Sequence, residues 1–110
     1  MTRSSGILLP VSALPGPCGI GDLGTAAREF IDFLAAAGQR YWQILPLNPP
    51  DSAHSPYLSA STFAGSTDLL SPEPFIARGA LTLDEVRSVD WGGDPMRVDY
   101  GRVHAGKTAL

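Results

Sequence analysis

The residues best placed to do chemistry are Ser55, Pro56 and Tyr57, which offer a hydroxyl, a rigid bend and an amphipathic ring within three positions. Such a trio suits contact with a polar ligand, since a tyrosine presents an apolar face and a polar tip. Other groups suggest stronger chemistry and then fail to complete it. Gly19-Ile20-Gly21-Asp22-Leu23-Gly24 has the G-x-G-x-x-G spacing of a dinucleotide loop. That motif needs a strand running directly into the glycines and an acidic residue about 20 positions on. Here a proline-rich turn intervenes, and Tyr41 to Pro50 holds no acid. Loop bends, with Asp22 or Thr25 capping a helix, account for the pattern better. Asp84 and Glu85 form an adjacent carboxylate pair, but a capping box beginning at Thr82 explains both. One cysteine, Cys18, and two distant histidines, His54 and His104, make no metal pattern. No serine stands in a G-x-S-x-G elbow. We therefore expect no catalytic group, no metal and no cofactor.

The elements that must position Ser55 and Tyr57 read as one βαβ unit. Ile7-Leu8-Leu9 is a short apolar run that predicts a first strand, with Pro10 limiting its length. Leu23, Ala27, Phe30 and Leu34 recur at helical spacing, with Ala26, Ile31 and Phe33 widening the stripe. This predicts a helix from Thr25 to Ala37, stopped by Gly38, with Phe30 and Phe33 in the core. Tyr41 to Leu47 is apolar but for Gln43 and predicts a parallel strand buried on both faces. Asn48-Pro49-Pro50-Asp51 then leads the chain into a loop beyond that strand's carboxyl end, where parallel α/β folds bind ligands. Phe63 is expected to pin the loop to the body. Ser71-Pro72-Glu73, with Gly79 as stop, predicts a short helix, and Thr82 opens another. A third helical pattern follows Val98-Asp99-Tyr100 and is still running at Leu110, which reads as a truncation.

The 110 residues suit a single small domain, and 44% hydrophobic content is ordinary for a globular chain. Twelve glycines and ten prolines predict a loop-rich one. A net charge of −3 with no basic cluster argues against nucleic acid and anionic membranes as partners. A lone Cys18 cannot form an internal disulfide and fits a reducing, cytoplasmic location. The apolar run before Pro10 is too short for an export signal, which needs roughly 7–15 such residues.

Arg40-Tyr41-Trp42-Gln43-Ile44-Leu45-Pro46-Leu47, followed by Ser55-Pro56-Tyr57 and Phe63-Ala64-Gly65, resembles the start of the 4-α-glucanotransferases, also called amylomaltases or disproportionating enzymes. Gly6 to Leu9, Leu14 to Pro17, Gly19 to Gly24, Val98 to Gly101 and Lys107 match the same family in the same order. The resemblance implies an α/β fold, the N-terminal part of a (β/α)8 barrel, with residues 1–110 supplying about two βα units. It implies a retaining transfer of α-1,4-glucan segments to the 4-hydroxyl of a glucan or glucose by two carboxylates. Those carboxylates would lie beyond Leu110, so the chain alone is expected to be inactive. Ser55 and Tyr57 match positions that line the glucan groove, with maltooligosaccharides and glucose as partners. The loop departs from the family: Asn48 to His54 replaces Gly-Pro-Thr-Gly-Tyr-Gly-Asp, Leu58 replaces Gln, and Ser66-Thr67 replaces Asn-Pro. Secondary glucan contacts and chain-length preference are expected to differ accordingly. A second reading of the same residues is a small standalone carbohydrate-binding or interaction module derived from that barrel.

Overall fold

Two short parallel strands and the helix between them set the frame. The computed structural model describes residues 2–110. Strand β1 (Gly6–Leu8) pairs with β2 (Tyr41–Gln43) in the register Gly6 with Tyr41, Ile7 with Trp42 and Leu8 with Gln43. Leu9 N–H donates to the Gln43 carbonyl at 3.0 Å, carrying the ladder one step past β1. Helix α1 (Thr25–Ala36) makes the crossover. It ends where Gly38, at φ +73°, adopts the left-handed conformation that a side chain would resist. Gly38 N–H reaches the Ala35 carbonyl and Gln39 N–H the Leu34 carbonyl, at 3.0 and 2.9 Å, a full Schellman closure. Phe30 meets Trp42 edge to face with centroids 5.1 Å apart, joining α1 to β2, while Trp42 Nε1–H donates to the Leu9 carbonyl.

Three further helices follow: α2 (Glu73–Ala77), α3 (Leu83–Ser88) and α4 (Tyr100–Ala109). Single 3-10 turns occupy Val11–Ala13 and Thr67–Leu69. The best-buried side chains are Val103 on α4 and Cys18, joined by Val11, Ile20, Ala27, Leu34 and Val86. The core therefore draws on the glycine-rich loop, α1, α3 and α4, while no residue of the strand pair is buried. Gly19 meets the segment between α3 and α4: its φ is +70°, and a Cβ there would lie 2.3 Å from the Trp91 carbonyl oxygen. The G-x-G-x-x-G stretch packs against its own chain.

Several expectations change. The strand expected over Tyr41–Leu47 stops at Gln43, and its faces are open: Tyr41 is 65% exposed and Ile44 is exposed as well. Among the described residues only β1 pairs with β2, so no second neighbour extends it. In α1 the inward face is narrower than expected. Ala27 and Leu34 are buried, whereas Ile31 and Phe33, and Leu23 just ahead of the helix, are exposed. Helix α1 is not capped by Asp22 or Thr25. Its N-cap is Gly24, and the carboxylate that caps it comes from α2: Glu73 Oε2 accepts from Thr25 N–H at 3.0 Å and from Thr25 Oγ1 at 2.8 Å. Phe63 pins nothing. It is 100% exposed, and the loop is held by polar bonds instead. The capping box at Thr82 and the stop at Gly79 (φ +73°) are found as expected.

Candidate functional site

The loop that follows β2 is built by two residues that accept or donate across it. Asn48 Nδ2 donates to the Ser61 and Thr62 carbonyls at 3.2 and 3.1 Å, and Ser66 N–H donates to the Leu47 carbonyl at 2.7 Å. These bonds close the base of the loop. Asp51 organises its tip. Its Oδ1 accepts from Ala53 N–H at 3.0 Å and Ser55 N–H at 3.3 Å, and its carbonyl accepts from His54 N–H at 2.9 Å. An aspartate folding the next residues onto its own side chain is a standard turn device. Asp51 N–H donates to the Leu58 carbonyl at 2.9 Å, so residues 51–58 form a closed ring of chain.

Ser55 and Tyr57 come together at this tip. Ser55 is half-buried and its Oγ accepts from Tyr57 N–H at 3.4 Å. That bond uses a lone pair and leaves the hydroxyl proton free to donate. Tyr57 is 70% exposed, with its ring available to a partner. The tip rests on α4 through His54, whose imidazole stacks on the Tyr100 ring at 4.4 Å and 11°. Beside it, His104 Nδ1 pairs with Asp68 Oδ1 at 3.0 Å; Asp68 is buried while His104 faces water. A cleft of about 200 Å³ lies under the loop, walled by Val11, Ile20, Leu47, Pro56, His54 and Tyr100. The lining is mostly apolar with a few polar groups, as ligand clefts generally are.

Most of the chain's carboxylates are spent on structure. Asp51 folds the turn, Asp68 holds His104, Glu73 caps α1, Glu85 completes the capping box, and Asp90 and Asp99 hold Arg102. Hydrogen bonds from Thr82 draw the Glu85 carboxyl below its usual range, and those from Gly92 and Arg102 do the same for Asp90. Asp22 moves the other way: burial raises it, opposed by Lys107 and by Gly24 N–H, which reaches Oδ1 at 2.9 Å. No group of three or more metal-ligating side chains converges among the described residues.

Sequence reasoning missed the supports of the site. Asn48 and Asp51 carried a readable signal, being side chains prone to local bonding next to prolines. His54 and Tyr100 carried none, since 46 positions separate them and no local pattern couples them.

A sequence model for glycoside hydrolase family 77, the 4-alpha-glucanotransferases, matches residues 9–110. The chain belongs to the 4-alpha-glucanotransferase family. It is 42% identical over 108 residues to the 4-alpha-glucanotransferase of Streptococcus pneumoniae serotype 4, covering 98% of this chain and 21% of that protein. It is 46% identical over 107 residues to that of Thermus thermophilus, covering 97% and 20%. Among solved structures, the amylomaltase of Streptococcus agalactiae in complex with acarbose superposes with a TM-score of 0.93 at 37% identity. That match covers 98% of this chain and 22% of the amylomaltase. This 4-alpha-glucanotransferase family chain thus spans about a fifth of the length of the curated relatives it matches. No helix among its described residues is long and apolar enough to cross a membrane.

Proposed function

We propose that residues 1–110 form the incomplete N-terminal part of a 4-α-glucanotransferase catalytic domain, supplying the first βαβ unit of a (β/α)8 barrel and one loop of its glucan groove. The observation that carries this reading is the superposition of nearly the whole chain on an amylomaltase, at a TM-score of 0.93. In this reading the completed enzyme moves α-1,4-glucan segments between maltooligosaccharides, or to glucose, by a retaining double displacement. A pair of carboxylates outside residues 1–110 carries the bond-breaking. Ser55 and Tyr57 bind substrate. The Ser55 hydroxyl proton donates to a sugar oxygen, and the exposed Tyr57 ring lies against a sugar face. The buried free thiol of Cys18 fits a reducing compartment such as the cytoplasm.

The open faces of Tyr41, Ile44, Ile31 and Phe33 favour this reading over a standalone carbohydrate-binding module. A module that folds for itself covers such side chains. The test is maltotriose disproportionation. The 110-residue chain alone should release no glucose above a protein-free control. The Thermus thermophilus relative with its matching segment replaced by residues 1–110 should release it. Glucose from the chain alone, or a folded chimera without activity, overturns the proposal.

A further inference from the structure

His54 is the only non-glycine residue with a positive φ among those described, at 58°. Such a conformation is unfavourable for a side-chain-bearing residue and persists where the surroundings hold it. Here they do. The backbone is held by His54 N–H on the Asp51 carbonyl and by the Asp51 carboxylate on both flanking amides. What the conformation achieves is visible on the other side of the residue. It turns the imidazole outward from the closed ring of residues 51–58 and lays it flat on Tyr100, 4.4 Å away in the first turn of α4. The stacked pair stands at a junction. Both rings wall the cleft under the loop, a hollow towards Asp94–Gly101, and a third hollow between Pro49–Ser52 and His104. No other side-chain hydrogen bond or ring contact ties the tip of the loop to α4 in the described residues.

We infer that the His54–Tyr100 stack is a positioning clasp: it docks the 51–58 turn on α4 and thereby sets where Ser55 and Tyr57 meet the glucan. The inference rests on the glucan-contact reading of Ser55 and Tyr57 for its second half only. The docking itself is a statement about the chain. His54 acts through the backbone of its neighbours, one residue from Ser55 and three from Tyr57. A sequence with a flexible glycine at this position would leave the tip free of α4. The histidine gives up backbone freedom and gains a fixed tip.

Three variants separate ring from backbone: His54→Ala removes the ring and keeps the strain, His54→Gly removes both, and His54→Phe keeps a stacking ring. The first readout is amide hydrogen exchange at Asp51, Ser55 and Leu58 in the full chain, with the amides of Ala37 and Gln39, which bond back onto the last turn of α1, as the fold control. The clasp predicts faster exchange at the three loop amides in the Ala and Gly variants, wild-type rates in the Phe variant, and unchanged α1 amides in all. Wild-type loop exchange in His54→Ala overturns the clasp, as does Phe failing to restore it while α1 stays protected. The second readout is maltoheptaose binding, followed by loop amide shifts in the same samples. Ala and Gly should weaken it about three- to tenfold, the range an aromatic pair is worth, and Phe should restore it. Wild-type chain that fails to bind maltoheptaose contradicts the glucan reading and not the clasp, which the exchange rates decide alone. Tight loop exchange that tracks the ring, with binding indifferent to it, overturns the positioning half.

Discussion

Lys107 and Asp22 form an ion pair inside the protein, with Nζ 3.8 Å from Oδ2 and the two side chains 6% and 3% exposed. The pair joins the C-terminal half of α4 to the glycine-rich loop ahead of α1. Its geometry is incomplete: Oδ2 has no hydrogen-bond partner, and the ammonium donates to the Leu70 carbonyl instead. The attraction is therefore a Coulombic one across a short gap, in a place where a carboxylate pays heavily for leaving water. Removing the cation leaves that carboxylate buried with the Gly24 N–H as its one hydrogen-bond partner. Lys107→Met is expected to cost about 3–5 kcal/mol of stability by urea titration at neutral pH, and Lys107→Met with Asp22→Asn much less. A single-variant loss below about 1 kcal/mol would show that water already reaches the pair.

The same pair sets a pH dependence with a definite sign. Burial raises the Asp22 carboxyl above its ordinary 3.8 in the folded chain. The neutral acid is thus the form the fold prefers. Its contribution is fully present below 3.8 and is lost as pH rises through the folded value. Asp22→Asn should remove this component of the stability–pH profile, and an unchanged acid limb would refute the assignment.

Glu85 works in the opposite direction. Its bonds with Thr82 lower its carboxyl below 4.5, so its contribution is present above that value and is lost as pH falls through the folded one. In Glu85→Gln the acid-side loss should shrink, and Thr82→Ala should cost about 1 kcal/mol by removing the cap. Equal acid melting curves for Glu85→Gln and the parent chain would count against the box as a titrating element.

Helix α1 depends on a residue 48 positions away. Glu73 takes both the amide and the hydroxyl of Thr25, and Arg28 joins it at 3.1 Å. Glu73→Ala is expected to cost about 1 kcal/mol, in line with other lost caps, with α1 amides exchanging faster near Thr25. The exposed Arg28 contact should add little, so Arg28→Ala should be nearly neutral. An Arg28 effect larger than that of Glu73 would reverse this ranking.

What could be read in advance was whatever is settled by neighbours along the chain. The Thr82 capping box needs four consecutive residues, and the Gly38 stop needs one glycine after a helical stripe. The turn at Ser55-Pro56-Tyr57 is legible for the same reason. The strand after Arg40 was overextended because an apolar run reports what a segment could bury and not what lies beside it. Tyr41 and Ile44 are apolar and open. Phe63 failed likewise: an aromatic residue in a loop suggests an anchor, but nothing apolar reaches it. The Glu73 cap of α1 and the His54–Tyr100 stack join segments far apart in sequence, where no pattern of spacing operates.

Tyr57 is the proposed glucan contact, and Tyr57→Ala in the chimeric Thermus thermophilus relative carrying residues 1–110 tests that role most directly. The ring is 70% exposed and its backbone amide bonds only the Ser55 hydroxyl, so its loss should leave Tm within a degree or so of the parent. Loss of one aromatic face on a sugar should lower kcat/KM for maltotriose by about 1–2 kcal/mol, or roughly five- to thirtyfold. Parental kcat/KM, or a collapsed Tm with normal turnover in the cold, would show that the ring braces the loop and that the glucan is held elsewhere.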